Sequence, residues 1–236
     1  MKRALAVTRL QFNKKLITLG VPAMILALVV LVSVIIALTM QRFGVDPTTP
    51  EYADGFKMSG GAVYSIQGFL VYLGVQAVSL TFPFAMSLGT TRRSYALGTA
   101  LFYALQALYV GLISVVLLGL EKLTGHWFVE AYVFDTHLAG DGNFVKVFFT
   151  MFVLTFASLC IGGVFGGLFL RLGSKGPLIL SVALVLALAL LLLFLAPQLA
   201  AIAAATTRWH ILGVLFAIAL ASVGGLYLAL RRATVR

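Results

Sequence analysis

The chain has 236 residues, 61% of them hydrophobic and 10% charged, with a mean hydropathy of +1.08. Soluble domains carry about 25% charged and about 45–50% apolar residues, so a water-soluble globular protein is excluded and an integral membrane protein is indicated. A net charge of +10 would suggest nucleic acid in a soluble protein, but here its placement between apolar runs accounts for it, and no nucleic-acid partner is expected.

Met1 to Lys15 carries Lys2, Arg3, Arg9, Lys14 and Lys15. On a helix Leu5, Thr8, Phe12 and Leu16 share one face, while Val7 and Leu10 fall off it. That pattern is consistent with an amphipathic helix over 1–15 lying on the inner leaflet. The first span follows at about 16–39, with Pro22 near its start, where a helix tolerates proline best. Its apolar run exceeds the roughly 7–15 residues of a signal-peptide core, and no Ala-x-Ala site follows, so it reads as a retained signal anchor.

Met40 to Gly60 is polar, with Asp46, Pro47, Pro50, Glu51, Asp54 and Lys57, and reads as a loop outside the membrane. Spans at about 61–87 and about 95–119 are joined by Gly89 to Ser94, a connection too short for a domain. The two must form an antiparallel hairpin with Arg92 and Arg93 at its tip. Glu121 to Asn143 is a second outer segment, whose Trp127, Phe128, Tyr132 and Phe134 suit the membrane–water boundary.

The fourth and fifth spans, about 144–170 and 178–196, flank an inner turn with Arg171 and Lys175. Pro197 to Thr207 is alanine-rich and too short to span. It reads as a re-entrant segment, tolerable at membrane depth only if protein or water covers it. The last span, about 209–230, is followed by Arg231, Arg232 and Arg236. Inner segments thus hold twelve of the 17 Lys and Arg, and outer segments hold all seven Asp and Glu. Basic bias sets orientation. The expected architecture is one all-α transmembrane domain over 1–236, with six spans and both termini cytoplasmic.

An ion-coupled pump needs ionisable groups within the membrane, and none lies well inside any run. Gln67, Gln76 and Gln106 either line a polar path or bond between helices. In Cys160 to Leu168, Gly162 pairs with Gly166 and Gly163 with Gly167 as small-xxx-small repeats, a candidate packing interface within one subunit or between two. His126, Glu130, Asp135, His137 and Asp141 are zinc-type residues at loose spacing, so no metal site is expected. Cys160, the single cysteine, excludes an intramolecular disulfide. No HExxH, GxSxG or GxxxxGK[ST] occurs, so the chain is expected to be no enzyme and to bind no cofactor itself.

Pro83 to Thr99, PFAMSLGTTRRSYALGT, resembles the cytoplasmic loop of ABC exporter permeases of the type-2 bacterial export class. In that class a Gly-x-(Ser/Thr)-Arg-Arg turn joins the second and third helices and is followed by an aromatic residue and a glycine. Here those positions are Gly89, Thr91, Arg92, Arg93, Tyr95 and Gly98. The basic first helix, the six spans and the broken segment before the last span agree in outline, while the outer loops are longer than a minimal member needs.

The resemblance implies a permease subunit in the bacterial cytoplasmic membrane, surrounded by membrane lipids and paired with a second permease copy or a paralogue. A cytoplasmic ABC ATPase subunit would bind ATP and Mg. Gly89, Thr90, Thr91, Arg92, Arg93 and Tyr95 would form the coupling element against it. Two other readings stay open, a non-transporting membrane scaffold or accessory subunit and an ion-independent channel or facilitator. Topology anchoring alone also accounts for two inner arginines.

Overall fold

The computed structural model of the chain describes residues 2–198, 205–231 and 233. All regular structure among them is helical. Helix α1 is Lys2–Gln11, α2 is Val21–Arg42, α3 is Pro50–Lys57, α4 is Gly61–Ser65 and α5 is Gln67–Ser79. Then come α6, Thr81–Ser87, α7, Arg92–Leu123, α8, Phe144–Leu172, α9, Lys175–Leu195, and the last helix α10, Arg208–Arg231. Among the described residues six stretches are long and apolar enough to cross a membrane: Leu16–Arg42, Pro50–Ser87, Arg92–Leu123, Phe144–Leu172, Lys175–Gln198 and Arg208–Arg231. The protein is an all-α multi-pass membrane protein. The re-entrant reading of Pro197 to Thr207 falls largely on residues 199–204, outside the described residues.

The helix breaks trace to prolines and to side chains that take over backbone partners. Pro22 has no N–H for the Thr18 carbonyl four residues back, and the chain enters α2 through a π-helical turn at Leu16–Gly20. The Gln106 amide donates to the Thr18 carbonyl in its place, and the Tyr109 hydroxyl donates to the Leu19 carbonyl at 2.8 Å. The second span is three helices rather than one. Pro83 crowds the Ser79 carbonyl, and the helix is interrupted at Leu80. At the other interruption, Ile66, the Gln67 side chain donates to the Val63 carbonyl at 3.0 Å.

Three expectations change. The face that α1 buries is Val7, Thr8 and Gln11, while Leu5 and Leu16 are exposed; the small and polar side is the one that fits closely against another helix. The stretch from Met40 to Gly60 is no simple loop, because α3 buries Tyr52 and Phe56 in a cluster with Ala37 and Ala131. The third span runs beyond 95–119 to Arg92 at one end and Leu123 at the other. It can do so because Arg92 and the buried Glu121 both find partners within the chain.

By packing, the chain forms two compact units. The first comprises Met1–Gln11, Val71–Leu101 and Leu159–Arg236, and the second Phe12–Leu70 and Phe102–Ser158. The first is built around buried Val78, Phe82, Tyr95, Leu159 and Leu226, the second around Leu26, Ile66, Leu70, Phe102 and Met151. The charges divide with the packing. All seven carboxylates belong to the second unit, and eleven of the 17 Lys and Arg to the first.

Candidate functional site

The turn between α6 and α7 lies in the first unit and is built by local chemistry. Gly89 takes a φ of +74°, a conformation open to glycine at little cost. Thr91 caps α7: its hydroxyl oxygen accepts from the Ser94 N–H at 3.2 Å, and its own proton goes to the Ser94 hydroxyl at 2.9 Å. Such a cap satisfies one of the unpaired donors at a helix start. Arg92 and Arg93 then occupy the first two helical positions, where the helix dipole disfavours positive charge.

Arg92 escapes that field by reaching another helix end. Its guanidinium donates to the Leu230 carbonyl at 2.8 Å, to the Arg231 carbonyl, and to the Ala233 carbonyl at 3.0 Å. These carbonyls lie in the last turn of α10 and just beyond it, where a cation is favoured. Arg93 is exposed. The two arginines, expected to act as a pair, therefore have separate positions. Arg92 joins α7 to α10, and Arg93 faces outward with Gly89 and Thr91, beside the half-buried Thr90.

Tyr95 is fully buried, so its contribution is to hold the turn rather than to touch a partner. Its hydroxyl lies 2.7 Å from Thr81 Oγ1 and donates to the Ala77 carbonyl at 2.9 Å, and its ring meets Phe82 edge-on at 5.1 Å. Gln11 of α1 extends the cluster, with Nε2 donating to Thr99 Oγ1 at 3.0 Å and to the Ala77 carbonyl at 3.3 Å.

Two further contacts fix α1. Thr8 donates to the Gly98 carbonyl at 2.9 Å, and Arg3 donates to the Gly89 carbonyl at 3.4 Å. A Cβ on Gly98 would stand 2.5 Å from the Ala4 carbonyl oxygen, so close approach of α1 requires glycine here. Gln11 is a site residue that the sequence reading missed, whereas Thr8 was placed on the shared face of the first helix without its hydrogen-bonding role. The available signal was Gln11 itself, a long polar side chain seven residues after Ala4 and four after Val7, on one helical stripe.

The other candidate residues have partners inside the chain. Gln67 accepts from the Ser158 hydroxyl at 2.6 Å, Gln106 bonds the Thr18 carbonyl, and Gln76 bonds the Tyr72 hydroxyl. Each of the three makes its own contact within its unit. Gly162 approaches α5 so closely that a Cβ would overlap the Val71 carbonyl, and a Cβ on Gly166 would lie 2.8 Å from the Val75 carbonyl oxygen. Gly167 turns instead toward Ala229 and Leu226 of α10, and Gly163 is buried. Gly162, Gly166 and Gly167 thus each allow close approach of another helix of the same chain.

In the second unit, Glu121 accepts three backbone N–H groups, those of Val133 at 3.1 Å, Phe134 at 2.7 Å and Asp135 at 3.2 Å. They hold a segment in which His126, Trp127 and Phe128 take left-handed φ values of 55°, 62° and 64°, each at a cost of about 1–2 kcal/mol. His126 lies 3.6 Å from Asp135 and 3.7 Å from Glu130, while His137 pairs separately with Asp141 at 2.8 Å. Burial, and then the Glu130 carboxylate, push the Tyr132 hydroxyl up to about 12, so it remains the donor to Glu130 at 3.1 Å. Among the described residues no three His, Cys, Asp or Glu converge on a metal position.

Comparison of the chain with family models, with curated proteins and with solved structures finds no match in any of the three.

Proposed function

We propose that the chain is the transmembrane permease subunit of an ATP-driven exporter of the type-2 class. It works with a second copy or a paralogue and takes its energy from a separate cytoplasmic ABC ATPase, which binds the ATP and Mg, through the turn at 89–95. In this arrangement both termini and the turn face the cytoplasm of a bacterial inner membrane.

The observation that supports this reading is the bracing of the turn. It is tied to α1 through Arg3, to α10 through Arg92, and to α6 through Tyr95 and Thr81. A push on the exposed Gly89, Thr91 and Arg93 is therefore delivered to several helices at once, which a motor-driven permease needs and a passive anchor does not. Tyr95 and Arg92 transmit the push, and Arg93 receives it.

Arg93 provides the test, because it is exposed and holds no other side chain or carbonyl among the described residues. In the Cys160→Ala background, Arg93→Cys carrying a photo-crosslinker is expected to capture a nucleotide-hydrolysing subunit in native membranes. Arg93→Ala in the reconstituted complex is expected to leave assembly intact while hydrolysis stops responding to substrate. Absence of an ATPase among the crosslinked products, or unaltered coupling in Arg93→Ala, overturns the proposal. A second reading, a non-transporting scaffold, is favoured by the exposure of only one arginine of the pair, Arg93. An ATPase that co-purifies yet hydrolyses ATP at one rate with and without the chain decides for it.

A further inference from the structure

Along α2 the second unit carries an open groove of about 690 Å³. Leu28, Val32, Ile36 and Met40 form its floor, one residue every four along a single helical stripe. They extend about 18 Å at the helical rise. Phe56 belongs to the lining contributed by α3, and Glu51, also on α3, is the one charged residue among the described lining residues.

Each of the four floor residues remains 40% exposed or more, although they lie within a span. In a bilayer the open side of this stripe meets acyl chains, so the tail of an occupant enters there, while the α3 end of the groove carries the polar Glu51 and Ser59. Glu51 has no ion-pair partner among the described residues. Glu51 is exposed, so it attracts a positive group with the modest strength of a surface charge, and the apolar stripe supplies the rest of the hold. An anionic head would be repelled. A zwitterionic phospholipid would bring its phosphate to the same carboxylate.

We propose that this groove binds a single-chain amphiphile with a cationic head, the tail along the Leu28–Met40 stripe and the head against Glu51. The site stands whether or not the chain is a permease, since it rests on α2, α3 and Glu51 alone.

Three photoreactive probes with the same twelve-carbon, diazirine-bearing tail test it, their heads being trimethylammonium, sulfate and hydroxyl. They are applied to the full chain in phosphatidylcholine nanodiscs, and labelled peptides are mapped by mass spectrometry. The ammonium probe is expected to label 28–40 and 50–61 about tenfold more than the sulfate probe at equal membrane concentration. Glu51→Gln, an exposed change that leaves the fold intact, is expected to bring the three probes within about twofold of one another. Glu51→Lys is expected to reverse the preference toward sulfate. Three results overturn the proposal: equal labelling by all heads in the native chain, which marks a lipid-filled seam; an ammonium preference that persists in Glu51→Gln; and a groove left unlabelled by the ammonium probe, which marks a dimer contact if the Ser33→Cys variant, again without Cys160, crosslinks two copies.

Discussion

The Arg92 guanidinium donates to the Leu230 carbonyl at 2.8 Å, so the first residue of α7 closes the last turn of α10. Hydrogen bonds to a charged group contribute about 1.5–3 kcal/mol each when buried, and partial exposure of Arg92 reduces that. Arg92→Ala is expected to destabilise the protein by about 1–3 kcal/mol in total, seen as a lower Tm in detergent. Arg92→Lys should fall between, because an ammonium cannot span several carbonyls as a planar fork does. Arg93→Ala should melt with the native chain. Equal Tm values for both alanine variants would remove the clamp from the account.

Gly98 holds α1 in place by having no side chain. Gly98→Ala forces the Ala4 backbone away and is expected to cost about 1–3 kcal/mol, the usual range for overpacking. In a Cys160→Ala background, Val7→Cys is buried and should resist a maleimide. Adding Gly98→Ala should make it reactive. Continued protection would show that α1 stays docked by other means.

The glycines on α5 and α8 separate packing from propensity. Gly162→Ala drives a methyl into the Val71 carbonyl and is expected to lower both folded yield and Tm. Gly68 has open space where its Cβ would go, so Gly68→Ala should be neutral or stabilising by up to about 1 kcal/mol through helix propensity. Thermal unfolding of the two variants side by side checks the contrast.

Glu121 restrains the left-handed turn. Glu121→Gln replaces one acceptor oxygen with an amide donor and leaves the Phe134 N–H unpaired, at about 1–3 kcal/mol. Limited proteolysis should then cut the segment 124–143 faster than in the native chain. An unchanged rate would mean that the backbone bonds at Phe128 and Ala131 suffice.

Orientation is testable with cysteines at exposed positions. In the Cys160→Ala background, Ser59→Cys and Leu138→Cys should react with an impermeant thiol reagent in intact cells. Thr91→Cys should react only after permeabilisation. Labelling of Thr91→Cys from outside would invert the topology proposed above.

The membrane architecture was legible because it depends on composition over long windows, and six helical stretches among the described residues are long and apolar enough to cross a membrane. Their ends were less legible. Arg92 and Glu121 read as loop residues by charge, yet each remains helical because a partner distant in sequence neutralises the cost. Pro22 was legible as a tolerated helix start, but the repair of its missing hydrogen bond by Gln106 was not, since the two are 84 positions apart. The packed face of α1 was misread for a related reason. Hydrophobicity favours Leu5 and Phe12, whereas the fit to Gly98 selects Val7, Thr8 and Gln11. Around the turn, the motif residues were visible as types. Their division into exposed Arg93, engaged Arg92 and buried Tyr95 is a property of three dimensions.

The partition of charge between the two units sets the electrostatic terms on which the first can meet anything else. It contains eleven basic residues and not one carboxylate, so its counter-ions must come from outside it. Surface attractions of this kind weaken as added salt shortens the Debye length to about 3 Å at 1 M. High-salt washing should therefore strip peripheral acidic proteins or anionic headgroups from this unit, and low-salt extraction should retain them.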